Sequence, residues 1–137
     1  MNLKKYNWGY RAEPEPNLYG RSLICPRGKG LGGSSSINGM IYVRGHPQDF
    51  DNWSTKGASS WSFADVLPYF KKMECCESRQ SAWRGKNGPI RIKTAEQKNV
   101  LHKVFSDAAI QCGYSFTEDY NGYKQEGIGA AEMTVYK

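Results

Sequence analysis

Apolar side chains recur at helical spacing in the middle of the chain. Phe50 and Trp53, with acidic residues before and between them, predict a short helix that carries negative charge in its first turn and ends at Gly57. A second helix is predicted from Ser62, a typical N-cap residue, because Asp65 stands three positions later as its reciprocal acidic partner. The second helix carries four apolar side chains on one face: Phe63, Val66, Leu67 and Phe70.

Further along the chain, the pattern predicts another helix and two strands. Residues 100–111 repeat apolar positions at helical spacing and give the clearest helix of the sequence. Residues 90–93 (Ile-Arg-Ile-Lys) alternate, which predicts a half-buried strand with a polar side in water. Residues 133–136 predict a second strand, whereas 74–87 and 119–129 are polar and irregular and are typical of loops. The fold class that follows is mixed α/β with about three helices.

The beginning of the chain shows neither the helical spacing nor the strand alternation of apolar positions. Residues 4–24 mix aromatic, polar and proline residues, and the Glu-Pro-Glu-Pro stretch at 13–16 excludes a helix because a residue before proline is driven toward an extended backbone. We therefore expect an extended arm. The strand predicted over 133–136 stops where the chain stops, which leads us to expect a truncated segment. With four tryptophans, nine tyrosines and five phenylalanines, we expect exposed apolar patches and self-association.

The charge balance changes this picture little. The chain has 137 residues, 19 of them basic and 13 acidic, for a formal net charge of +6. The two signs are interleaved rather than gathered into a basic arm or stripe, so we expect no nucleic-acid partner. No apolar run approaches the roughly 20 residues that a membrane-spanning helix needs, and the first residues do not form a signal-peptide core. We expect a soluble segment.

The four cysteines do not indicate a metal site. They lack the paired short spacings of zinc ligands, and Cys75 and Cys76 are adjacent, which makes a bridge between them strained. We therefore expect no metal and reduced thiols in a cytoplasmic compartment.

The most informative stretch runs from Arg27 to Ser36 (Arg-Gly-Lys-Gly-Leu-Gly-Gly-Ser-Ser-Ser), where glycines let the backbone approach a ligand closely. Gly28, Gly30 and Gly33 match the spacing of a dinucleotide-binding turn. The preceding Cys-Pro-Arg is a poor end for a parallel strand, however, and no long amphipathic helix follows, which disfavours that interpretation. A P-loop is excluded because the lysine precedes the glycine that it should follow, and no serine stands in a nucleophile elbow.

Two interpretations of this stretch stay open from its residues alone. Its amides and hydroxyls, leading into a helix start near Ser36, have the groups to bind a phosphate or the polar edge of a ring. Alternatively, the glycines form a tight crossover buried between sheets.

Residues 27–45 (Arg-Gly-Lys-Gly-Leu-Gly-Gly-Ser-Ser-Ser-Ile-Asn-Gly-Met-Ile-Tyr-Val-Arg-Gly) resemble the first signature of the glucose/methanol/choline oxidoreductases. The resemblance continues in both directions and covers essentially the whole chain. Its further stretches are 6–8, 13–16, 49–53, 61–62, 66–70, 88–89 and 121–127 (Asn-Gly-Tyr-Lys-Gln-Glu-Gly).

This resemblance implies an FAD-binding doubly wound domain joined to a substrate domain, of which the chain would be an internal part. Residues 1–60 would then form the FAD-contacting part with the glycine/serine loop, and residues 61–137 would run toward the substrate domain. The resemblance carries over six positions as FAD contacts: Gly32, Gly33, Ser34, Asn38, Gly39 and Ile41.

The resemblance also indicates how the flavin is held and which groups are missing. Family members with covalently attached flavin carry a histidine where this chain has Ile37, so we expect non-covalent FAD. The family's adenylate-binding turn and catalytic histidine region have no counterpart here, and we expect no catalytic residue in this chain. His46 follows a loop glycine and His102 lies on the outer side of a predicted helix. Arg44 is expected to pair with a carboxylate such as Asp49.

For the whole protein, the resemblance implies hydride transfer from a primary alcohol to flavin. The stretches at 13–16 and 121–127 look most like the choline-oxidising members, so choline or a similar alcohol is the expected substrate, and we expect this chain alone to be inactive. Two alternatives stay open: a non-catalytic module that binds a nucleotide or anion, and a truncated gene product without function. The sequence decides neither the electron acceptor nor membrane association.

Overall fold

The computed structural model describes residues 3–79 and 82–135. The chain divides into two compact units, Met1–Met40 and Ile41–Lys137.

A two-residue antiparallel ladder organises the first unit. The short helix α1 (Leu3–Tyr6) precedes β1 (Tyr10–Arg11), which pairs with β2 (Ile24–Cys25). A 3-10 turn at Pro16–Leu18 lies between the two strands, and a second one at Gly33–Ser36 follows them.

The predicted extended arm doubles back as a hairpin. Glu15 keeps the extended backbone that its following proline dictates, and its carboxylate accepts a hydrogen bond from Asn17 N at 3.1 Å, which starts the 3-10 turn. Tyr19 then adopts a left-handed backbone with φ 56°, and the chain returns as β2. The prolines exclude an α-helix here, as predicted, and the predicted extended arm contains the two short strands of this hairpin.

The second unit contains the three predicted helices, α2 (Pro47–Thr55), α3 (Phe63–Met73) and α4 (Val100–Gln111). Each begins after a residue whose side chain accepts a hydrogen bond from a backbone amide of the first turn, which satisfies a donor that has no partner inside the helix. In α2 and α3 an acidic side chain completes a capping box. The capping residues are His46, Ser62 and Asn99 in chain order.

Three short strands form the sheet of the second unit. β3 (Glu74–Cys76) pairs in parallel with β4 (Ile90–Thr94), and β4 pairs antiparallel with β5 (Glu132–Met133). β4 is confirmed, but the prediction of a loop over 74–87 was wrong at β3, whose Glu-Cys-Cys sequence has no apolar alternation. The strand predicted over 133–136 is confirmed at Met133 alone, and its last residue lies outside the described residues.

The apolar core of this unit is small. Tyr42, Cys76 and Ile92 are buried together, and Met73 and Ile90 pack against them. Burial of so few apolar side chains contributes only a few kcal/mol, at roughly 1.5–3 kcal/mol for each large one. The arrangement of this unit therefore depends largely on its polar interactions.

Aromatic rings pack α2 against α3. Phe50 is buried and lies edge-on to Trp53 at 5.3 Å and to Phe70 at 5.6 Å between ring centroids. Edge-to-face pairs of this kind add about 0.5–1.5 kcal/mol beyond the area that they bury.

Large apolar side chains remain exposed along α4, which confirms the expectation of apolar surface patches. Five apolar residues of this helix are at least 49% exposed: Val100, Leu101, Val104, Phe105 and Ile110. No helix in the described part of the chain is long and apolar enough to cross a bilayer.

Replacing Phe105 by lysine should reduce self-association of the isolated chain. The ring is 66% exposed, so the change removes apolar surface that copies of the chain can share and alters the folding free energy by only about 0.5 kcal/mol. Light scattering over a concentration series measures the association. Gln111→Lys adds the same charge at an exposed polar position of the same helix, and equal effects of the two changes would show that net charge controls association.

Candidate functional site

Residues 28–40, called the glycine segment below, begin with a close backbone contact inside the first unit. Lys29 N donates to Tyr6 O at 2.8 Å and ties the segment to α1. A Cβ on Gly28 would lie 1.9 Å from Gly33 O, far inside the contact distance of two atoms. Only glycine fits at position 28 without moving the backbone of the segment.

The next glycines reverse the chain. Gly30, Gly32 and Gly33 have φ values of 116°, 88° and 55°, which side chains disfavour. Gly33 N donates to Gly30 O at 3.0 Å, and Ser35 N donates to Gly32 O at 3.1 Å. The 3-10 turn that follows is therefore the direct continuation of this reversal.

Two serine hydroxyls brace the turn from within. Ser35 Oγ donates to Gly32 O at 2.7 Å, and Ser36 Oγ donates to Leu31 O at 2.9 Å. Both hydroxyl hydrogens are thus used by the segment itself.

Ser34 and Asn38, both expected to contact FAD, have local partners too, but only as acceptors. Ser34 Oγ accepts from Gly28 N at 3.2 Å, and Asn38 Oδ1 accepts from Met40 N at 2.9 Å. The Ser34 hydroxyl hydrogen and the Asn38 side-chain NH₂ group stay available as donors.

The segment also has backbone donors to offer. Within the described residues, the amides of Gly32, Ser34 and Gly39 donate to no other group of the chain. The space where a Cβ would stand is open at Gly33 and Gly39, with no other heavy atom within 4 Å. N–H donors beside open glycines suit a flat ligand with acceptors at its edge.

The geometry decides between the interpretations of this stretch. The preceding strand pairs antiparallel and a four-residue 3-10 turn follows, so the segment is no strand-turn-helix dinucleotide motif. The helix start expected near Ser36 was wrong, because the 3-10 turn ends there. The segment is exposed or half-exposed throughout, which argues against a crossover buried between sheets.

Ile41, the sixth predicted contact, lies in the second unit. It forms an isolated antiparallel bridge with Met133, and its side chain is 55% exposed. An apolar side chain held out on an extended backbone is able to pack against a flat ring.

Four buried charged residues, Arg44, Glu74, Arg84 and Glu132, form an ion cluster in the second unit. Each is at most 3% exposed. Arg84 is bound on both sides, with Nε 2.9 Å from Glu74 Oε1 and Nη2 2.8 Å from Glu132 Oε2. Its Nη1 donates to Asp119 Oδ1 at 2.6 Å. Charge-assisted hydrogen bonds from a planar guanidinium set the spacing of all three carboxylates.

Arg44 adds a second cation to Glu74. Its Nη2 lies 2.8 Å from Glu74 Oε1 but is not aligned for a hydrogen bond, so this contact is a charge pair, while Nη1 donates to Trp83 O at 2.7 Å. The prediction that Arg44 pairs with a carboxylate is confirmed, but the partner is not Asp49. That carboxylate accepts from His46 N and caps α2.

Burial and hydrogen bonding act in opposite directions on the pKa values of the ion cluster. Burial works to raise the pKa of Glu74, yet hydrogen bonds from Arg84 and the Gly85 amide outweigh it, and the pKa is lowered. Burial works to lower the pKa of Arg84, and hydrogen bonds to Glu132, Glu74 and Asp119 outweigh it, so that pKa is raised. Glu74 is therefore ionised and Arg84 protonated at neutral pH.

The two histidines have local positions that match their prediction. His46 Nδ1 accepts from Gln48 N at 3.2 Å and caps α2, and His102 is exposed on α4. The described residues also hold no cluster of three or more His, Cys, Asp or Glu side chains that could hold a metal ion.

Sequence reasoning missed most of the ion cluster. Three of its residues lie in stretches without regularly spaced apolar positions: Glu74, Arg84 and Glu132. A buried charge has no local signature in a sequence. The stretch 121–127 was noted for its resemblance, and Asn121 from this stretch bonds to Glu132 Oε2 at 2.8 Å. The resemblance of residues 121–127 was therefore the signal in the sequence that pointed to the ion cluster.

Comparison with known proteins gives one family. A family model of the GMC (glucose/methanol/choline) oxidoreductases matches residues 16–136. The chain is 55% identical over 136 residues to the oxygen-dependent choline dehydrogenase of Brucella melitensis and 54% identical to the one of Rhizobium etli. In each case the alignment covers 99% of this chain and 25% of the relative, so the chain spans about a quarter of their length.

A solved structure shows the same fold. The crystal structure of pyridoxine 4-oxidase from Mesorbium loti superimposes with a TM-score of 0.87 at 30% sequence identity. The match covers 96% of this chain and 26% of the oxidase.

Gly28→Ala should open the glycine segment. The added Cβ cannot share space with Gly33 O, so the hydrogen bonds of the turn should weaken by at least about 1.4 kcal/mol, a tenfold change in equilibrium. Amide hydrogen exchange at Gly33, Ser35 and Ile37 should rise accordingly. Gly39→Ala meets no atom within 4 Å and is the matched control. Unchanged exchange in Gly28→Ala would contradict the contact described above.

Glu74 should make folding stability depend on acid pH. Since its pKa is lowered in the folded state, its contribution is fully present above the unfolded value of about 4.3 and is lost as pH falls through the folded-state pKa. Glu74→Gln should destabilise the chain at pH 7 by about 3–5 kcal/mol, because two buried arginines lose their shared partner.

Urea unfolding of both proteins between pH 7 and acid conditions measures this difference. The gap between wild type and Glu74→Gln should narrow as pH falls below about 4.3. The same substitution at the exposed Glu118 should show no comparable gap at any pH. A gap at Glu74 that is constant over the whole range would refute the linkage.

Proposed function

This chain belongs to the GMC oxidoreductases, and from that premise we propose that it forms part of the flavin site of an FAD-dependent alcohol dehydrogenase. The proposal concerns the whole protein, because the chain spans about a quarter of its curated relatives. Residues 1–60 are proposed as the part that contacts FAD, and residues 61–137 as the part that runs toward the substrate domain.

The observation that carries the proposal is the set of donors on the glycine segment. Three backbone amides and the side chains of Ser34 and Asn38 have hydrogens without an acceptor in the described residues. The isoalloxazine ring of FAD has carbonyl oxygens and nitrogens along one edge, which are acceptors for such donors. Open space beside Gly33 and Gly39 allows a ring to approach the backbone. The residues present therefore fit the cofactor.

In this proposal the chain binds and orients the cofactor. FAD would supply the acceptor for the hydride that leaves the alcohol carbon. Gly32, Gly33, Ser34, Asn38 and Gly39 of the first unit would hold it, and Ile41 of the second unit stays a prediction. The N–H donors of the first-unit residues would stabilise negative charge on a bound ring, and because the braced turn holds these donors in place, they would need little reorganisation. The proton of the alcohol would pass to a group outside residues 1–137.

Non-covalent attachment is supported by two features. Ile37 occupies the position where family members with attached flavin carry histidine, and an alkyl side chain cannot form that bond. The Nδ1 atom of His46 is engaged as the cap of α2.

The substrate and compartment are finer parts of the proposal. Relatives at 55% and 54% identity carry choline in their names, which supports choline or a similar primary alcohol. A cytoplasmic setting is supported by the four free cysteines. Burial raises the pKa of the Cys76 thiol, which keeps this group protonated and unreactive at neutral pH.

The complete protein that contains this chain should purify with bound FAD, and anaerobic choline should bleach the flavin absorbance. Acid precipitation should leave the flavin in the supernatant, because no covalent bond retains it. A colourless protein that binds no added FAD would overturn the proposed function and favour the alternative of an anion-binding module. Flavin that stays with the precipitate would overturn only the non-covalent mode.

Asn38→Asp should lower FAD affinity by roughly tenfold in the same protein. The substitution keeps the oxygen that accepts from Met40 N and removes the side-chain donor, and one lost hydrogen bond is worth about 1.4 kcal/mol. Fluorescence titration of the apoprotein with FAD measures the change. Asn17→Asp, an exposed position in the other 3-10 turn of the same unit, is the control for added charge. Equal losses in the two variants would remove Asn38 from the site.

A further inference from the structure

The chain contains the pair asparagine–glycine at three positions: 38–39, 87–88 and 121–122. In such a pair the backbone nitrogen of the glycine is able to attack the side-chain carbonyl carbon of the asparagine, because no Cβ hinders its approach. The attack requires that this nitrogen lose its proton and move toward the side chain. A hydrogen bond donated by the glycine N–H opposes both steps, so the folded structure decides which of the three pairs reacts.

The pair at 87–88 is held at its glycine. Asn87 is exposed, so water reaches its side chain. Gly88 N, however, donates to Glu74 O at 2.9 Å, which ties this amide to β3. A Cβ on Gly88 would overlap the backbone of Met73, so the glycine is packed closely and has little room to move.

The pair at 121–122 is held at both residues. Gly122 N donates to Asp119 O at 3.0 Å. Asn121 is 2% exposed, and its NH₂ group donates to Tyr42 O at 3.1 Å and to Glu132 Oε2 at 2.8 Å. The nucleophile and the leaving group are therefore both engaged, and water is excluded from the side chain.

The pair at 38–39 differs on each of these points. Gly39 N donates to no other group of the described residues, and Asn38 is exposed. No other heavy atom lies within 4 Å of the place where a Cβ on Gly39 would stand. Met40 N donates to Asn38 Oδ1 at 2.9 Å, which polarises the carbonyl group and would stabilise the negative charge that forms on this oxygen during attack. This pair thus combines an unbonded nucleophile, an activated carbonyl and access for water.

We propose that Asn38 is a site of spontaneous deamidation, with water as the only other reactant. The Gly39 nitrogen gives up its proton and forms a bond to Asn38 Cγ. The bond between Cγ and Nδ2 breaks, and the side-chain nitrogen leaves as ammonia with that proton, which gives a cyclic imide. Water then cleaves the imide at either of its carbonyl groups, and the product is aspartate or isoaspartate. No atom is oxidised or reduced.

The consequence for the flavin site rests on the proposed function. In that account the Asn38 NH₂ group donates to the cofactor, and deamidation replaces this donor by a carboxylate. Isoaspartate in addition inserts a methylene group into the main chain before Gly39. Both products should weaken FAD binding, whereas a ring bound beside Gly39 would cover the attacking nitrogen. Deamidation at Asn38 should therefore be confined to the cofactor-free protein.

The experiment follows the three pairs by peptide mass spectrometry in the complete protein, kept free of FAD at mildly alkaline pH. Conversion should be roughly tenfold faster at Asn38 than at Asn87 or Asn121, because local opening must first break the hydrogen bonds that hold the other two pairs. In concentrated urea the three pairs should react at similar rates, since unfolding removes the structural difference. Saturating FAD should slow conversion at Asn38.

Gly39→Ala is the matched variant. It places a Cβ beside the attacking nitrogen and meets no other atom within 4 Å, so the fold should be kept. Conversion at Asn38 should slow severalfold in this variant. Conversion at Asn87 and Asn121 should stay unchanged, and these two pairs are the internal controls.

The outcomes separate this inference from the proposed function. Conversion at Asn38 that is no faster than at Asn87 in the folded protein would overturn the inference and leave the proposed function intact. A preference for Asn38 that persists unchanged in urea would also overturn it, because the fold would then not select the site. Fast conversion that bound FAD does not slow would keep the deamidation site but remove Asn38 from the flavin site. A protein that binds no FAD would overturn the proposed function alone, since the comparison of the three pairs needs no cofactor.

Discussion

The guanidinium of Arg84 between Glu74 and Glu132 is the interaction on which the second unit depends. These carboxylates belong to β3 and β5, which lie on opposite sides of β4. A buried charge without partners costs several kcal/mol, so none of the three groups is stable in the interior without the others. The cluster therefore forms only when both strands and the loop that carries Asp119 are in place.

Such a cluster specifies one arrangement of the strands more than it adds net stability. Replacing buried ion pairs by apolar side chains is often neutral or stabilising in proteins, because desolvation offsets much of the attraction. Here the apolar alternative is small, since three buried side chains make up the core cluster of the unit. Each charged group has several directional partners, and those directions set the register of short strands that two or three ladder bonds would leave weakly specified. Residues 41–45 inherit their position from this arrangement, because Asn121 and Glu132 hydrogen-bond to the backbone of Tyr42.

Signals between neighbouring residues were enough to predict the helices. Features that depend on contacts between residues distant in the sequence could not be predicted. The capping box at Ser62 and Asp65, the spacing after Pro47 and the stop at Gly113 all act within one or two turns, and the three helices follow them. The strand at 90–93 was found for a similar reason, because alternation is a local pattern. β3 was missed since its first residue is a glutamate that is buried only because Arg84, ten residues later, and Arg44, thirty residues earlier, surround it. The partner of Arg44 was predicted wrongly for the same reason. Asp49 is near in sequence, but its carboxylate already accepts a hydrogen bond at the start of α2, and the actual partner is the distant Glu74.

The glycine segment shows the limit of the same reasoning at the site. Residue types alone left both a ligand cradle and a packed crossover open for the glycines, because both need a backbone without Cβ atoms. The distinction lies in which amides remain without acceptors, a property of the folded turn that no spacing rule contains. Ser35 and Ser36 turn inward to brace it, while Ser34 and Asn38 accept locally and keep their donors. Four neighbouring polar residues thus divide into two that support and two that can bind, and this division follows from the positive φ values of Gly30, Gly32 and Gly33, which set the path of the turn.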